Sequence, residues 1–191
     1  MTKALKHERG TPMPYTRASH LLNPVRGLLL SPGCLVSRLG LKPDFTVLEL
    51  GPGPGYFSPA IARALPTGKL VLVDCQREML DMAKSRLDGK GIENVEYRLG
   101  DAIALPAETG SFDVVFMVSV LGEVSDCKAC LREIHRALRP NGLLSVTEYG
   151  IGDPHVIPVR ELQSLGEAEG FELQERHRRL FHYTLGFRKV T

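Results

Sequence analysis

From residue 46 onward, short apolar runs alternate with stretches in which apolar side chains return every third or fourth position. The runs are 46–50 (TVLEL), 69–73 (KLVLV), 95–99 (VEYRL), 112–118 (FDVVFMV) and 143–148 (LLSVTE). Most are β-branched or aliphatic and short, which is how strands buried in a sheet read. Between them, residues 56–65 place Phe57, Ile61 and Leu65 at four-residue spacing, with Gly68 just past the end. Residues 77–88 line up Met79, Leu80, Ala83 and Leu87 on one helical stripe. A third helix, 126–138, is stopped by Arg139-Pro140-Asn141-Gly142. Strand–helix alternation at this period predicts an α/β fold, a doubly wound parallel sheet with helices on both faces. After Pro158 the pattern changes to a helix over 159–169, closed by Gly170, and two strands, 171–176 and 180–189, close enough to pair antiparallel.

Ahead of the alternating region, residues 1–18 are polar and charged and carry two prolines, which predicts a flexible lead-in. They lack the apolar core of a secretory signal. Residues 19–41 hold apolar clusters broken by Pro24 and Pro32, consistent with two short helices, about 21–30 and 33–39. The 191 residues suit one domain, spanning 19–191 with its core at 44–191. Hydrophobic residues at 43% and charged residues at 24% are ordinary for a globular chain. A net charge of +2 gives no reason to expect nucleic acid or an anionic membrane as partner. No apolar run approaches the roughly 20 residues of a membrane span. Cys34, Cys75, Cys127 and Cys130 follow no disulfide framework, so reduced thiols in a cytoplasmic protein are expected. Cys127 and Cys130 lack a second pair or a nearby histidine set, and no metal is expected there.

In an open parallel sheet, ligands sit beyond the carboxyl ends of the strands. The residues following the strands are Gly51-Pro52-Gly53-Pro54-Gly55, Asp74, Asp101, 119–123 and 148–155. A dinucleotide turn, G-x-G-x-x-G, needs a third glycine for close helix–strand packing. Counted from Gly51 that place is Tyr56, and from Gly53 it is Ser58, so neither register matches. Glu49, Asp74 and Asp101 instead give the turn an anionic rim, which would repel a pyrophosphate and suit a ligand with cationic groups. S-adenosylmethionine is such a ligand: it has no phosphate, and it carries a sulfonium, an ammonium, one ribose and one adenine.

The sequence E-L-G-P-G-P-G, with V-D after the second strand and G-D-A after the third, resembles the class I S-adenosylmethionine-dependent methyltransferases. F-D-V-V-F, R-E-I-H-R-A-L-R-P-N-G and the closing hairpin are similar to the same superfamily, nearest its small-molecule, quinone-biosynthesis-like branch. The likeness runs motif by motif over about 44–149 and in pattern over 158–189. It implies a Rossmann-like sheet of seven strands ending in the antiparallel hairpin, with S-adenosylmethionine as cofactor. Glu49, Gly51, Gly53 and Gly55 would surround the methionine end. Asp74 would hold the ribose, with Cys75 and Met79 near the adenine and Asp101 and Ala102 at its edge. Val118 and the two residues after it would close the site. N-terminal helices in this superfamily often fold over the cofactor, which offers Tyr15, Arg17, His20 and Asn23 a role beyond packing.

The activity so implied is methyl transfer to a small-molecule acceptor by direct in-line displacement. A non-catalytic S-adenosylmethionine-binding sensor or partner subunit would carry the same acids. An RNA or protein methyltransferase is disfavoured by the near-neutral charge and by Val118-Ser119-Val120-Leu121 standing where Asn-Pro-Pro-Tyr marks enzymes acting on planar amines. Glu123, Glu148 and His155 lie on ligand-side loops and could take a proton from the acceptor, histidine being the type poised nearest neutrality. They serve equally well as ordinary loop polar groups. Arg176-His177-Arg178-Arg179 reads as a solvated hairpin tip in preference to an anion contact. So little chain lies beyond the core that either the acceptor is small, or the N-terminal helices and a second copy in a homodimer complete its pocket.

Overall fold

The computed structural model describes residues 12–22, 30–150 and 155–190. Residues 1–11, and 23–29 of the first expected helix with Asn23, lie outside the described residues. A 3₁₀ turn, Tyr15–Arg17, runs into helix α1 (Ala18–Leu21), and α2 (Pro32–Leu39) leads to the sheet. Ser31 caps α2 by accepting the Cys34 N–H at 3.1 Å, Pro32 opens it, and Gly40 in the left-handed conformation ends it.

The alternation then unfolds as expected, through β1 (Thr46–Leu50), α3 (Ser58–Arg63), β2 (Lys69–Asp74), α4 (Arg77–Asp88), β3 (Val95–Leu99) and β4 (Phe112–Val118). A 3₁₀ turn (Leu121–Glu123), α5 (Cys127–Ala137), β5 (Leu138–Tyr149), α6 (Val159–Ala168), β6 (Phe171–Arg178) and β7 (His182–Lys189) complete the chain. The seven strands stand in the order β3-β2-β1-β4-β5-β7-β6. β1 to β5 pair in parallel, and β7 pairs antiparallel with both β5 and β6. The chain winds outward from β1 in one direction and returns to β4 on its other side. At such a reversal, open parallel sheets hold their ligands beyond the strand ends, here above β1 and β4.

Side chains alternate across each strand, so the sheet has two cores. Under α5 and α6 lie Leu48, Leu50, Val71, Val73, Val115 and Met117 with Leu131 and Ile134. Under α2, α3 and α4 lie Val47, Leu70, Leu72 and Phe116 with Leu35, Ile61 and Ala83.

The first helix, expected at about 21–30, begins within the expected lead-in at Ala18 and ends at Leu21; three further boundaries differ, each for a local reason. Helix α3 begins at Ser58 because the glycine turn takes the chain as far as Phe57, and Asn94 Nδ2 donates to Ala62 O and Leu65 O at its end. In β5 the pairing jumps from Phe112↔Leu138 to Val114↔Leu143. Residues 139–142 therefore bulge out, with Asn141 at φ 60°. β6 runs on to Arg178, so Arg176, His177 and Arg178 of the expected tip belong to the strand and only Arg179, Leu180 and Phe181 form the tip. An edge strand needs no apolar alternation on its open side, and that hid its last turn from the hydrophobic pattern.

Helix α5 depends on Asp126, whose Oδ1 accepts the N–H of Lys128 and of Ala129, both at 3.0 Å. Asp126→Ala is expected to lower stability by about 1 kcal/mol, read as a fall in the urea midpoint; an unchanged midpoint contradicts that role.

Candidate functional site

The turn after β1 folds because its glycines take a conformation closed to side chains. Gly51, Gly53 and Gly55 have φ of 65°, 54° and 74°. Gly51 N donates to Val73 O at 2.8 Å, which carries the turn across the end of β2. A Cβ on Gly51 would come within 2.5 Å of Val120 Cγ2, and one on Gly55 within 3.1 Å of Ala83 Cβ. The second contact seats the turn on α4, and the first brings it up against the segment that follows β4.

Two carboxylates flank this turn. Glu49 is 3% exposed and accepts the Ser58 hydroxyl at 2.6 Å. Asp74 is 7% exposed; Oδ1 accepts Gln76 N–H at 2.9 Å, and Oδ2 accepts Gly53 N–H at 3.3 Å. Burial pushes the Glu49 carboxyl up to about 7, against the Ser58 hydrogen bond and with the help of the neighbouring Asp74 charge. Burial likewise raises Asp74, against the pull of its backbone N–H partners. No Lys, Arg or His is ion-paired with either carboxylate among the described residues.

The other expected cofactor residues share this rim. Cys75 follows Asp74 and is exposed. Met79 is buried in the first turn of α4, its Sδ 4.0 Å from where a Gly53 Cβ would stand. Asp101 is exposed and accepts Ile103 N–H at 3.1 Å in a tight turn, with Ala102 half-buried between them. Val118 ends β4 opposite Thr147. Ser119 follows it at φ 53°, a strained value for a residue with a side chain, held by Ser119 N–H to Thr147 O at 2.8 Å.

Several participants escaped the sequence reading. Ser58 stands where a dinucleotide turn would put its last glycine, and its hydroxyl is what Glu49 holds. Gln76 Nε2 donates to Met13 O at 2.9 Å while its Oε1 accepts Tyr15 N–H at 3.1 Å. Met13 N–H in turn donates to Glu123 Oε2 at 3.0 Å. The N-terminal segment thus crosses from the bank after β2 to the bank after β4. Leu21 Cδ1 lies 3.1 Å from where a Gly53 Cβ would be. These are long-range contacts of single groups, which no local pattern announces.

The three proton acceptors named from sequence do not converge. Glu123 is engaged by Met13 N–H in that crossing. His155 borders the same rim, its carbonyl 2.1 Å from where a Gly122 Cβ would lie, so the loops after β4 and β5 meet at Gly122. Glu148 is fully buried, paired across β5 and β7 with Tyr183, on the face under α5 and α6. Glu49 and Asp74 occupy the opposite face. Cys127 donates its thiol to Leu121 O at 3.3 Å, and burial pushes the Cys130 thiol upward, so both serve the start of α5.

Glu49 sets a pH dependence. In the unfolded chain it ionises near 4.5, and in the folded chain near 7. The fold therefore loses stability as pH rises across that window, by about 3 kcal/mol from this group alone. Glu49→Gln is expected to remove that fall without changing stability below pH 4.5. Urea titrations of both proteins across the window check it, and parallel profiles refute it.

Comparison with known proteins adds the family. A family described as a methyltransferase domain matches residues 41–179. Demethylmenaquinone methyltransferase of Lactococcus lactis is 35% identical over 108 residues, 56% of this chain and 43% of that protein. The ubiquinone/menaquinone biosynthesis C-methyltransferase UbiE of Escherichia coli O1:K1 is 38% identical over 112 residues, 58% of this chain and 45% of that protein. The chain spans less than half the length of these curated relatives. A crystal structure of a SAM dependent methyltransferase from Aquifex aeolicus superposes with a TM-score of 0.89 at 23% identity, covering 94% of this chain and all of that one. The chain belongs to the methyltransferase domain family, in the class I, S-adenosylmethionine-dependent group that its glycine turn and trailing acids resemble.

Proposed function

We propose that this chain binds S-adenosylmethionine in the crevice above β1 and β4 and methylates a small-molecule acceptor there. One observation carries the reading: two buried carboxylates, Glu49 and Asp74, flank a turn too close-packed for side chains and are ion-paired with no cation among the described residues. The donor supplies a sulfonium-bound methyl group that is electrophilic without further activation, so direct displacement by the acceptor suffices. The chain's residues provide position. Glu49 and the backbone of Gly51 and Gly53 would hold the methionine end, and Asp74 the ribose hydroxyls. Met79 and Cys75 would flank the adenine, with Asp101 and Ala102 at its edge. Val118 and Val120 would wall the crevice from the β4 side. Holding two reactants in line is itself the main source of rate in such a transfer.

Of the groups able to accept a proton, His155 stands at the rim where the loops after β4 and β5 meet, and it is the proposed base. Glu123 serves the N-terminal crossing, and Glu148 faces the other core. The quinone-type relatives suit a small aromatic acceptor, and the four free thiols suit a reducing cytoplasm.

Asp74→Ala is expected to weaken S-adenosylhomocysteine binding by roughly 10–100-fold, measured by titration calorimetry; undiminished affinity removes the site assignment. His155→Ala is expected to slow methyl transfer about 100-fold with donor affinity intact. An unchanged rate, followed with labelled donor on a pool of small aromatic acceptors, would leave positioning as the sole catalytic device.

A further inference from the structure

The hairpin between β6 and β7 ends in a tip that turn chemistry does not explain. Arg179 N donates to His182 O at 2.9 Å, which leaves Leu180 and Phe181 as the two connecting residues. Two-residue connections favour Asn-Gly, Asp-Gly or a leading glycine, because the tight reversal asks for positive φ. Neither Leu180 nor Phe181 has positive φ, and neither is a turn-forming type. Both are offered to solvent, Leu180 at 84% exposure and Phe181 at 38%.

Charge surrounds them. Arg176, Arg178 and Arg179 are exposed within four residues of Leu180. His177 is 3.0 Å from Glu175, and Arg176 donates to Gln163, while no ion pair engages Arg178 or Arg179 among the described residues. The tip is therefore an apolar pair in a cationic collar. Its place is specific too. Tyr149↔His182 is the last pair of β5 with β7, and Gly150 N donates to Phe181 O at 2.8 Å. The tip thus projects past the carboxyl end of β5, on the rim that carries the crevice.

Elsewhere, exposed apolar side chains are few, and Tyr15 and Met82 among them line a cavity with Pro54 and Arg86. Six large hydrophobic side chains are exposed among the described residues: Tyr15, Met82, Leu99, Leu180, Phe181 and Val190. Tyr15 is bonded to Gln76 after β2, Met82 lies in the half of α4 that starts there, and Leu99 ends β3. Only Val190, beyond the end of β7, belongs to the opposite margin.

We propose that this tip, Leu180 and Phe181 within their flanking arginines, docks on an anionic lipid surface. Two protruding side chains are far too small a patch for a stable protein interface, which buries hundreds of Å² on each partner. A fluid headgroup layer needs no shape complement. It accepts Leu and Phe at the acyl boundary while the arginines, their stems lying along the apolar surface, meet the phosphates. The crevice would then open toward the layer in which an apolar acceptor dissolves.

Sedimentation of the full chain with extruded vesicles tests this, with neither donor nor acceptor added. Binding to phosphatidylcholine vesicles containing about 30% phosphatidylglycerol is expected to exceed binding to pure phosphatidylcholine roughly tenfold. Raising the salt from about 0.1 M to about 0.5 M should erase most of the difference. Leu180→Ser with Phe181→Ser, and separately Arg178→Gln with Arg179→Gln, should each lower binding about fivefold with S-adenosylhomocysteine affinity unchanged. Equal binding to both vesicles, no binding, or variants that bind like the parent would overturn the proposal. A variant that fails to fold leaves the lipid and salt dependence of the parent to decide. A tip-dependent change in mass by light scattering, without vesicle binding, would assign the tip to contact between copies and also overturn it. Failure of cofactor binding would instead strike the methyl-transfer reading and leave the vesicle result standing.

Discussion

Two carboxylates kept out of water beside a single turn set the terms for everything around them. Desolvating an acid is unfavourable, and placing a second nearby makes it more so. Glu49 and Asp74 persist because the surroundings over-determine them. The Ser58 hydroxyl fixes one, and the N–H groups of Gly53 and Gln76 fix the other. Such rigidity needs a turn that lies flush on α4, and hence glycine at 55 against Ala83. It needs β1 and β2 in fixed register as well, since Gly51 bonds to Val73 at the very end of that pairing. Carboxylates desolvated at a cost to stability are characteristic of functional sites.

The topology places this feature. Because β1 neighbours both β2 and β4, the turn after it borders two loops, one reaching Gln76 and the other Val120 and Glu123. The N-terminal crossing uses both banks, bonding Met13 to Gln76 on one side and to Glu123 on the other. One strand reversal thus brings together groups more than a hundred residues apart.

What was legible in the sequence follows from the range of each interaction. The central strands announce themselves because both faces of the sheet are covered, so most positions are apolar. The acids of the candidate rim were legible because strand ends can be counted: Asp74 ends β2, Asp101 follows β3, and Glu49 lies next to the end of β1. Ser58 was seen only as a missing glycine, since its value lies in a hydroxyl reaching nine residues back to Glu49. Glu148 looked like its neighbours on the ligand-side loops, yet β5 continues through Tyr149, and the strand's alternation sends Glu148 to the far core. The last residues of β6 read as loop in the sequence because their polarity answers to solvent on an open margin. Where a residue's role is set by what lies on its own strand, the pattern told it; where a distant backbone sets it, the pattern was silent.

Both outer strands of the sheet deserve the same physical reading. β3 carries Glu96 bonded to Lys69 at 3.2 Å and to Arg98 at 2.8 Å. β6 carries exposed Glu172, Glu175, Arg176 and Arg178, and its register slips between Leu173 and Glu175. Unpaired strand margins invite another strand to add on, and charge with irregular pairing discourages it. Seven strands are therefore a terminus as well as a count. Charge and irregular pairing along both margins disfavour edge-to-edge growth of the sheet.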